Sequence, residues 1–143
     1  MRNIEKPSGP DQEIYLHQLL GNLLPGFQQA ATQRKSCFVN EVPDNILISA
    51  DKHIIASVLG NLLKMVSRQA DNSCIRVSAK AYHNVVLMHV KDNNTANNYS
   101  LNSGLLQVQP LIGKIGGFID ITRQRQEATT IAFSFSNLPK QVA

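Results

Sequence analysis

The sequence predicts an α+β domain, a two-layer sandwich in which a mixed sheet carries three helices on one face. Three segments with helical spacing of their apolar residues are separated by pairs of short apolar segments, and this order is typical of α+β folds. The length of 143 residues is that of one ordinary domain, which can bury a core without disulfides or metals. Apolar residues make up 43% and charged residues 17%, a balance that excludes a disordered chain.

The first helical segment begins at Leu16 and keeps its apolar residues on one face, three or four positions apart. Pro25 and Gly26 interrupt it, because proline removes a helical hydrogen bond and clashes with the preceding turn. We therefore expect a kink or two short helices. Residues 37–42 and 46–48 then predict two brief strands joined by a turn.

The clearest helical pattern follows, and it predicts a helix that ends between Arg68 and Asn72. Ser49 or Asp51 can cap its N-terminus, since a short side-chain oxygen accepts hydrogen bonds from the free N–H groups of the first turn. The apolar residues repeat every three to four positions and predict one face packed on the sheet: Ile54, Ile55, Val58, Leu59, Leu62, Leu63 and Val66.

Two strands of a hairpin come next. Apolar and polar side chains alternate in residues 75–80, which predicts a strand with one side facing solvent. Residues 82–84 can form the turn, and the more continuously apolar residues 85–90 predict a better buried return strand. This pairing places Ser78 opposite His89. We interpret the two as a cross-strand polar pair, because neither an orienting carboxylate nor an oxyanion loop accompanies them.

The remaining sequence predicts a short helix and a terminal hairpin. Apolar residues at helical spacing in residues 105–115 indicate the helix, with Pro110 in its first turns or bending it. Two glycines at residues 116–117 end this helix, because glycine adopts the left-handed conformation at little cost. Residues 118–122 and 129–135 predict the two strands of the hairpin.

The chain divides into a flexible leader over residues 1–12, one domain over residues 13–138 and a tail over residues 139–143. The 14 basic and 10 acidic residues give a net charge of +4 without a basic stripe, so no nucleic-acid partner is predicted. No apolar segment approaches the ~18 residues of a membrane helix, and the first residues lack a secretory signal. We therefore expect no membrane contact from this chain.

The two cysteines, Cys37 and Cys74, are far apart in the sequence and lie outside any Cys-x-x-Cys motif. This spacing predicts neither a disulfide framework nor a zinc site. Because reduced thiols are the rule inside cells, we expect free cysteines and a cytoplasmic protein.

A series of short motifs resembles a known family. Asp51, the segment 58–63 with Asn61 in it and, beyond the hairpin, residues 90–92 are similar to the ATP-binding catalytic domain of sensor histidine kinases, in the superfamily shared with gyrase, Hsp90 and MutL. The resemblance spans residues 16–135. It implies a sandwich of the histidine-kinase ATPase (Bergerat) type.

The resemblance implies roles for four residues of the helix predicted to end between Arg68 and Asn72, and two of the four depart from the family pattern. In the family this helix carries two asparagines four residues apart, of which the second holds Mg²⁺. Asn61 matches the first asparagine and Arg68 matches a phosphate-contacting cation. Met65 replaces the Mg²⁺ ligand, and a thioether is a poor donor for that hard ion. Gln69 replaces an aromatic residue that packs on adenine. Asn61 can equally be a polar residue of the helix surface.

The other family motifs are also altered. Asp92 matches the aspartate that accepts the adenine amino proton, yet Asn94 and Ala96 replace the two glycines that follow it. Asp92 can equally be a turn carboxylate that ends a strand. Gly104 is the one glycine kept from the next phosphate-binding motif. The intervening residues 93–103 are shorter than the family segment that closes over ATP.

We therefore predict a degenerate histidine-kinase-type domain of two-component (phosphorelay) signalling that acts mainly as a protein-interaction module. It requires no cofactor, has weak or no Mg–ATP binding, and carries neither catalytic residues nor a metal site. We expect its partner to be a kinase hairpin, a response-regulator receiver or a second copy. His17 is followed by Gln18 and lacks the context of a phosphoacceptor, so we expect no autophosphorylation in isolation.

Two alternatives remain. One is a divergent but active ATP-binding domain of a histidine kinase whose phosphoacceptor hairpin lies outside this chain. The other is a stand-alone kinase of the anti-sigma type, which should retain the Mg²⁺-binding asparagine and the glycines that this sequence lacks.

Overall fold

The computed structural model describes residues 13–94, 97, 108–123 and 129–138. The predicted leader and tail, the segment around Ala96 and Gly104, and the turn of the last hairpin lie outside these residues. The elements in chain order are β1 (Ile14–Tyr15), α1 (Leu16–Leu23), α2 (Pro25–Gln33), β2 (Cys37–Asn40), β3 (Leu47–Ile48), α3 (Lys52–Gln69), β4 (Cys74–Tyr82), β5 (Val85–Asp92), α4 (Gln109–Lys114), β6 (Phe118–Arg123) and β7 (Thr129–Ser136).

Five strands form one mixed sheet in the order β2-β4-β5-β7-β6. The β2–β4 pair is parallel and the other three pairs are antiparallel. The predicted strand at residues 46–48 pairs instead with β1, a two-residue strand that the sequence pattern did not indicate. The β2 strand ends at Asn40, two residues earlier than predicted, where the side-chain Oδ1 accepts a hydrogen bond from the Val42 amide at 3.1 Å.

The two faces of the sheet differ sharply. Val77, Met88 and Phe133 point to one face and belong to the same buried cluster as the apolar residues of the helices. Their strand neighbours Arg76 and Lys91 point to the other face and are exposed. All the described helices therefore cover one face, and the α+β sandwich predicted from the sequence is confirmed.

The α3 helix forms the centre of the helical layer. Asp51, one of the two predicted caps, accepts hydrogen bonds through Oδ1 from the amides of His53 at 3.0 Å and Ile54 at 3.3 Å. Leu62 is 0% exposed, as the predicted apolar face requires. The helix ends at Gln69, inside the predicted interval, and its predicted apolar residues lie in the core except Ile54, which is partly buried and packs against it.

The predicted interruption of the first helix is also confirmed. The chain forms α1 and α2 as separate helices, with Pro25 at the first position of α2, where its missing N–H leaves no helical acceptor unpaired. At the end of α4, Gly116 has a φ of 63°. A Cβ on the next residue, Gly117, would lie 1.7 Å from the carbonyl oxygen of Ser134, so only glycine lets β6 approach β7 here.

The prediction of free cysteines is wrong. Cys37 and Cys74 face each other in the register of the parallel β2–β4 pair, with a Cα–Cα distance of 4.7 Å, and form a disulfide. The sequence spacing does not reveal this contact, because α3 lies between β2 and β4 in the chain. The two strands become neighbours only when the chain crosses over through α3 and returns to the sheet parallel to β2. Among the described helices, none combines the length and the apolar character needed to cross a membrane.

Candidate functional site

The candidate site lies where β5 ends beside the C-terminal end of α3. Asp92 is the last residue of β5 and is only 2% exposed. In the sheet it stands opposite Ile75 of β4 on one side and Thr129 of β7 on the other. The predicted site aspartate is therefore a buried carboxylate on the core side of the sheet, at the position where β5 ends.

Hydrogen bonds from the chain itself occupy both oxygens of this carboxylate. Oδ1 of Asp92 accepts from the hydroxyl of Ser73 and, at 2.9 Å, from the amide of Asn94. Oδ2 accepts from Nδ2 of Asn97 at 2.7 Å. Such bonds to a carboxylate are strong and offset the cost of removing it from water.

The same network fastens the segment after β5 to the segment that leaves α3. Nδ2 of Asn94 donates to the carbonyl oxygens of Asp71 at 2.8 Å and Asn72 at 3.3 Å. Nδ2 of Asn97 also donates to the Asp71 carbonyl, at 3.2 Å. The position that the sequence resemblance matches to a glycine thus carries a side chain that binds a neighbouring loop.

The left-handed conformation occurs at Asn72 rather than at Asn94. Among the described residues other than glycine, positive φ angles are found at Lys35, Asn72 and His83. An asparagine tolerates this conformation better than most residues, and Asn72 adopts a φ of 54°. The backbone at Asn94 therefore does not need the left-handed conformation that a glycine at this position would allow.

Thr129 supplies a buried hydroxyl next to the carboxylate. It is 2% exposed, and its Oγ1 has no hydrogen-bond partner among the described residues. Thr129 thus adds a second buried polar group to this end of β5, opposite Asp92 in the sheet register. Sequence reasoning missed Thr129, Ser73 and Asn97. Alternation along β7 places Thr129 on the core face, but it does not give the register with β5 that brings Thr129 opposite Asp92.

The four predicted residues of α3 lie along one stretch of this helix, in different environments. Asn61 is half-buried, and its Nδ2 donates to the Ser57 carbonyl of its own helix at 2.8 Å. Met65 is 7% exposed and belongs to the hydrophobic core. Arg68 is exposed and Gln69 is half-buried.

The structure thus brings some predicted site residues together and leaves others apart. Asp92 and Asn94 belong to one hydrogen-bond network with Ser73 and Asn97. Within the described part of the chain, no hydrogen bond joins Asn61 to that network, since its side-chain amide donates to the Ser57 carbonyl of α3. The positions Ala96 and Gly104, and the short segment expected to replace a lid, lie outside the described residues.

The donor set at the predicted metal position does not fit Mg²⁺. The ion needs hard oxygen ligands, whereas the side chain at that position is the thioether of Met65, turned into the core. Elsewhere in the described ranges, no group of three or more His, Cys, Asp or Glu side chains can hold a metal ion. Ser78 and His89 are opposite each other on β4 and β5, as predicted.

No family model and no curated protein sequence matches the chain, but solved structures do. Histidine kinase AdeS of Acinetobacter baumannii has a TM-score of 0.76 and 15% identity, over 88% of this chain and 66% of that one. The nucleotide-free catalytic domain of histidine kinase ThkA has a TM-score of 0.73 and 17% identity, over 90% and 98%. Full-length ShkA in complex with AMPPNP has a TM-score of 0.72 and 16% identity, over 90% and 32%. The chain has the fold of histidine kinase ATPase domains.

Proposed function

We propose that this domain acts in two-component signalling mainly as a protein-interaction module, with weak or no Mg–ATP binding. The observation that carries the proposal is the hydrogen bonding of Asp92. Its carboxylate accepts from Ser73 and Asn97 as well as from the amide of Asn94. A ligand that used this carboxylate would have to displace bonds that the buried charge already makes, which raises the cost of binding.

The phosphate side of the site supports the same proposal. The Met65 thioether offers Mg²⁺ no hard oxygen, and the Asn61 amide is engaged with the Ser57 carbonyl. Arg68 is exposed to solvent, where a single cation is screened and contributes little. Without the metal ion, the charges of a triphosphate are poorly neutralised.

The open face of the sheet supports a role in protein contacts. Tyr82, Val85 and Phe118 are exposed, and the sheet register places all three on the face that the helices leave uncovered. Groups of exposed apolar side chains are common at protein interfaces. The solved structures named above are histidine kinases, so we propose a partner from the same signalling class: a kinase hairpin, a receiver domain or a second copy of this chain.

The second candidate is an active ATP-binding domain of a kinase whose phosphoacceptor hairpin lies outside this chain. The buried hydroxyl of Thr129 favours it, because this group stands opposite Asp92 and its Oγ1 has no hydrogen-bond partner among the described residues. ShkA, which shares the fold, was solved with AMPPNP bound.

A thermal-shift measurement with Mg–ATP separates the two candidates. A ligand at 100 times its dissociation constant stabilises the native state by about 2.7 kcal/mol, and a domain of this size would melt several degrees higher. We expect no such rise at millimolar Mg–ATP and no phosphorylation of a supplied histidine hairpin. A Mg²⁺-dependent rise in the melting temperature of the unmodified protein would contradict the proposed interaction module and favour an active kinase domain. The variant Asp92→Asn tests whether any rise depends on this site.

A further inference from the structure

We propose that Cys37 and Cys74 are a redox-reversible pair, and that their state is transmitted through Ser73 to the Asp92 carboxylate. The first observation is the place of the disulfide in the sheet. It joins β2, a four-residue strand at the sheet edge, to β4 next to it, with the two cysteines directly in register. This inference goes beyond the proposed function and holds whether or not a nucleotide binds.

The disulfide is accessible from solvent. The register places both cysteines on the open face of the sheet, with Arg76 and Val39 as the next residues of that face. Cys74 is exposed and Cys37 is half-buried. Thiol–disulfide exchange requires a thiolate to reach a sulfur atom, so disulfides at exposed positions exchange while those inside a core do not.

The reaction is an exchange with a low-molecular-weight disulfide such as oxidised glutathione. A thiolate of the reduced pair attacks the glutathione disulfide, forms a mixed disulfide and releases one glutathione thiolate. The second cysteine attacks the mixed disulfide, forms the Cys37–Cys74 bond and releases the second glutathione. The protein loses two electrons and two protons, and both are recovered in the two molecules of reduced glutathione.

The hydrogen bonds next to the disulfide link it to the candidate site. The Cys37 amide donates to the Ser73 carbonyl at 3.0 Å, and the Ser73 amide donates to Oγ of Ser36 at 3.2 Å. Each of these serines precedes one of the cysteines in the chain. The Ser73 hydroxyl then donates to Oδ1 of Asp92. One residue, Ser73, therefore contacts both the disulfide-bearing strand and the buried carboxylate.

A second set of contacts holds the same segment from the other side. Nε of Arg34 donates to the Ala70 carbonyl at 2.7 Å, and the Asn72 amide donates to the Arg34 carbonyl at 2.9 Å. The segment from Ala70 to Ser73 is thus held between the residues before β2 and the network of Asp92. When the disulfide opens, the edge strand loses its covalent link to β4, and the position of Ser73 relative to Asp92 is fixed by hydrogen bonds alone.

The first experiment measures reversibility. The native protein is equilibrated in a series of ratios of reduced to oxidised glutathione, and its free thiols are counted by mass after alkylation. We expect a reversible change from two labelled thiols to none. Cys37→Ser and Cys74→Ser serve as controls, and each should show one glutathione adduct but no protein disulfide. A pair that stays oxidised in native protein under excess dithiothreitol, or never oxidises with oxidised glutathione, overturns the proposal.

The second experiment measures transmission by the amide NMR signals of the oxidised and reduced protein. We expect the Asn94 amide, which donates to Asp92, to shift with redox state although it lies outside β2 and β4. Ser73→Ala should abolish this shift while leaving the thiol count unchanged. Ser78→Ala, on the same strand and face as Cys74, should preserve the redox-dependent shift of the Asn94 amide. An Asn94 signal that is the same in both redox states, or a shift that persists in Ser73→Ala, overturns the coupling.

Discussion

Two buried regions of this molecule are stabilised in different ways: the apolar layer between the helices and the sheet, and the polar end of the sheet around Asp92. In the apolar layer, α3 and the sheet bury a continuous set of aliphatic and aromatic side chains, and every predicted core position of the helix is at least partly buried. At the polar end, Asp92 is equally buried but depends on particular donors, of which Ser73 and Asn97 come from separate segments. The first region tolerates many sequences of the same pattern. The second region requires particular donors, so a substitution there leaves an oxygen of a buried carboxylate without its partner.

The largest expected effect is in the apolar layer. Leu62→Ala removes a fully buried side chain and leaves a cavity, so it should lower the free energy of unfolding by about 2–5 kcal/mol. The matched control is Asn61→Ala on the same helix, which removes one local hydrogen bond and should change stability by less than ~0.5 kcal/mol. Denaturant melts measure both. A loss below ~1 kcal/mol for Leu62→Ala would show that its burial is wrongly assigned.

The next effect is at the polar end. Asn97→Ala removes the donor to Oδ2 of Asp92 and should lower the free energy of unfolding by about 1–3 kcal/mol, since a buried carboxylate oxygen loses a partner. Asn93→Ala is the control, because Asn93 is an exposed asparagine of the same segment. Equal stability of the two variants in urea would contradict the assignment of Asp92 as a buried, internally bonded group.

A smaller effect is expected at the start of α3. Asp51→Ala removes the acceptor of two amide hydrogen bonds and should cost about 0.5–2 kcal/mol. Asp51→Asn retains a capping oxygen and should remain close to the unmodified protein. If thermal melts show that Asn is as destabilising as Ala, the effect belongs to the lost charge rather than to the cap.

The smallest effects concern ligands. If Asp92 accepts an adenine amino group, adenosine should bind about as well as ATP, because the proposed loss of binding concerns the phosphates and Mg²⁺. Chemical-shift changes during titration with each ligand measure this, and Asp92→Asn should remove them.

Met65→Asn alone should not restore Mg–ATP binding, because the altered residues after Asp92 remain. A clear Mg²⁺-dependent thermal shift in that variant would show that Met65 is the one obstacle.

The difference between the apolar layer and the polar end of the sheet also explains which features the sequence could predict. Helical period predicted α3 and the split at Pro25, and strand alternation with a turn predicted that Ser78 faces His89. These patterns are local, since each depends on residues a few positions apart. The Cys37–Cys74 bond, the β1–β3 pair and the donors around Asp92 depend on contacts between distant segments. No periodicity encodes such contacts, so the candidate site was located at Asp92 without its partners.

The ends of the sheet order have a consequence for the protein in concentrated solution. Both β2 and β6 are edge strands, and within the described residues each pairs with one neighbour only. The β2 strand is short, with four residues, and Pro43 soon follows it, so it offers few N–H groups to another molecule. The β6 strand has six residues and begins with the exposed Phe118. Self-association by strand addition should therefore begin at β6, and a lysine or proline in that strand is the substitution to choose against aggregation.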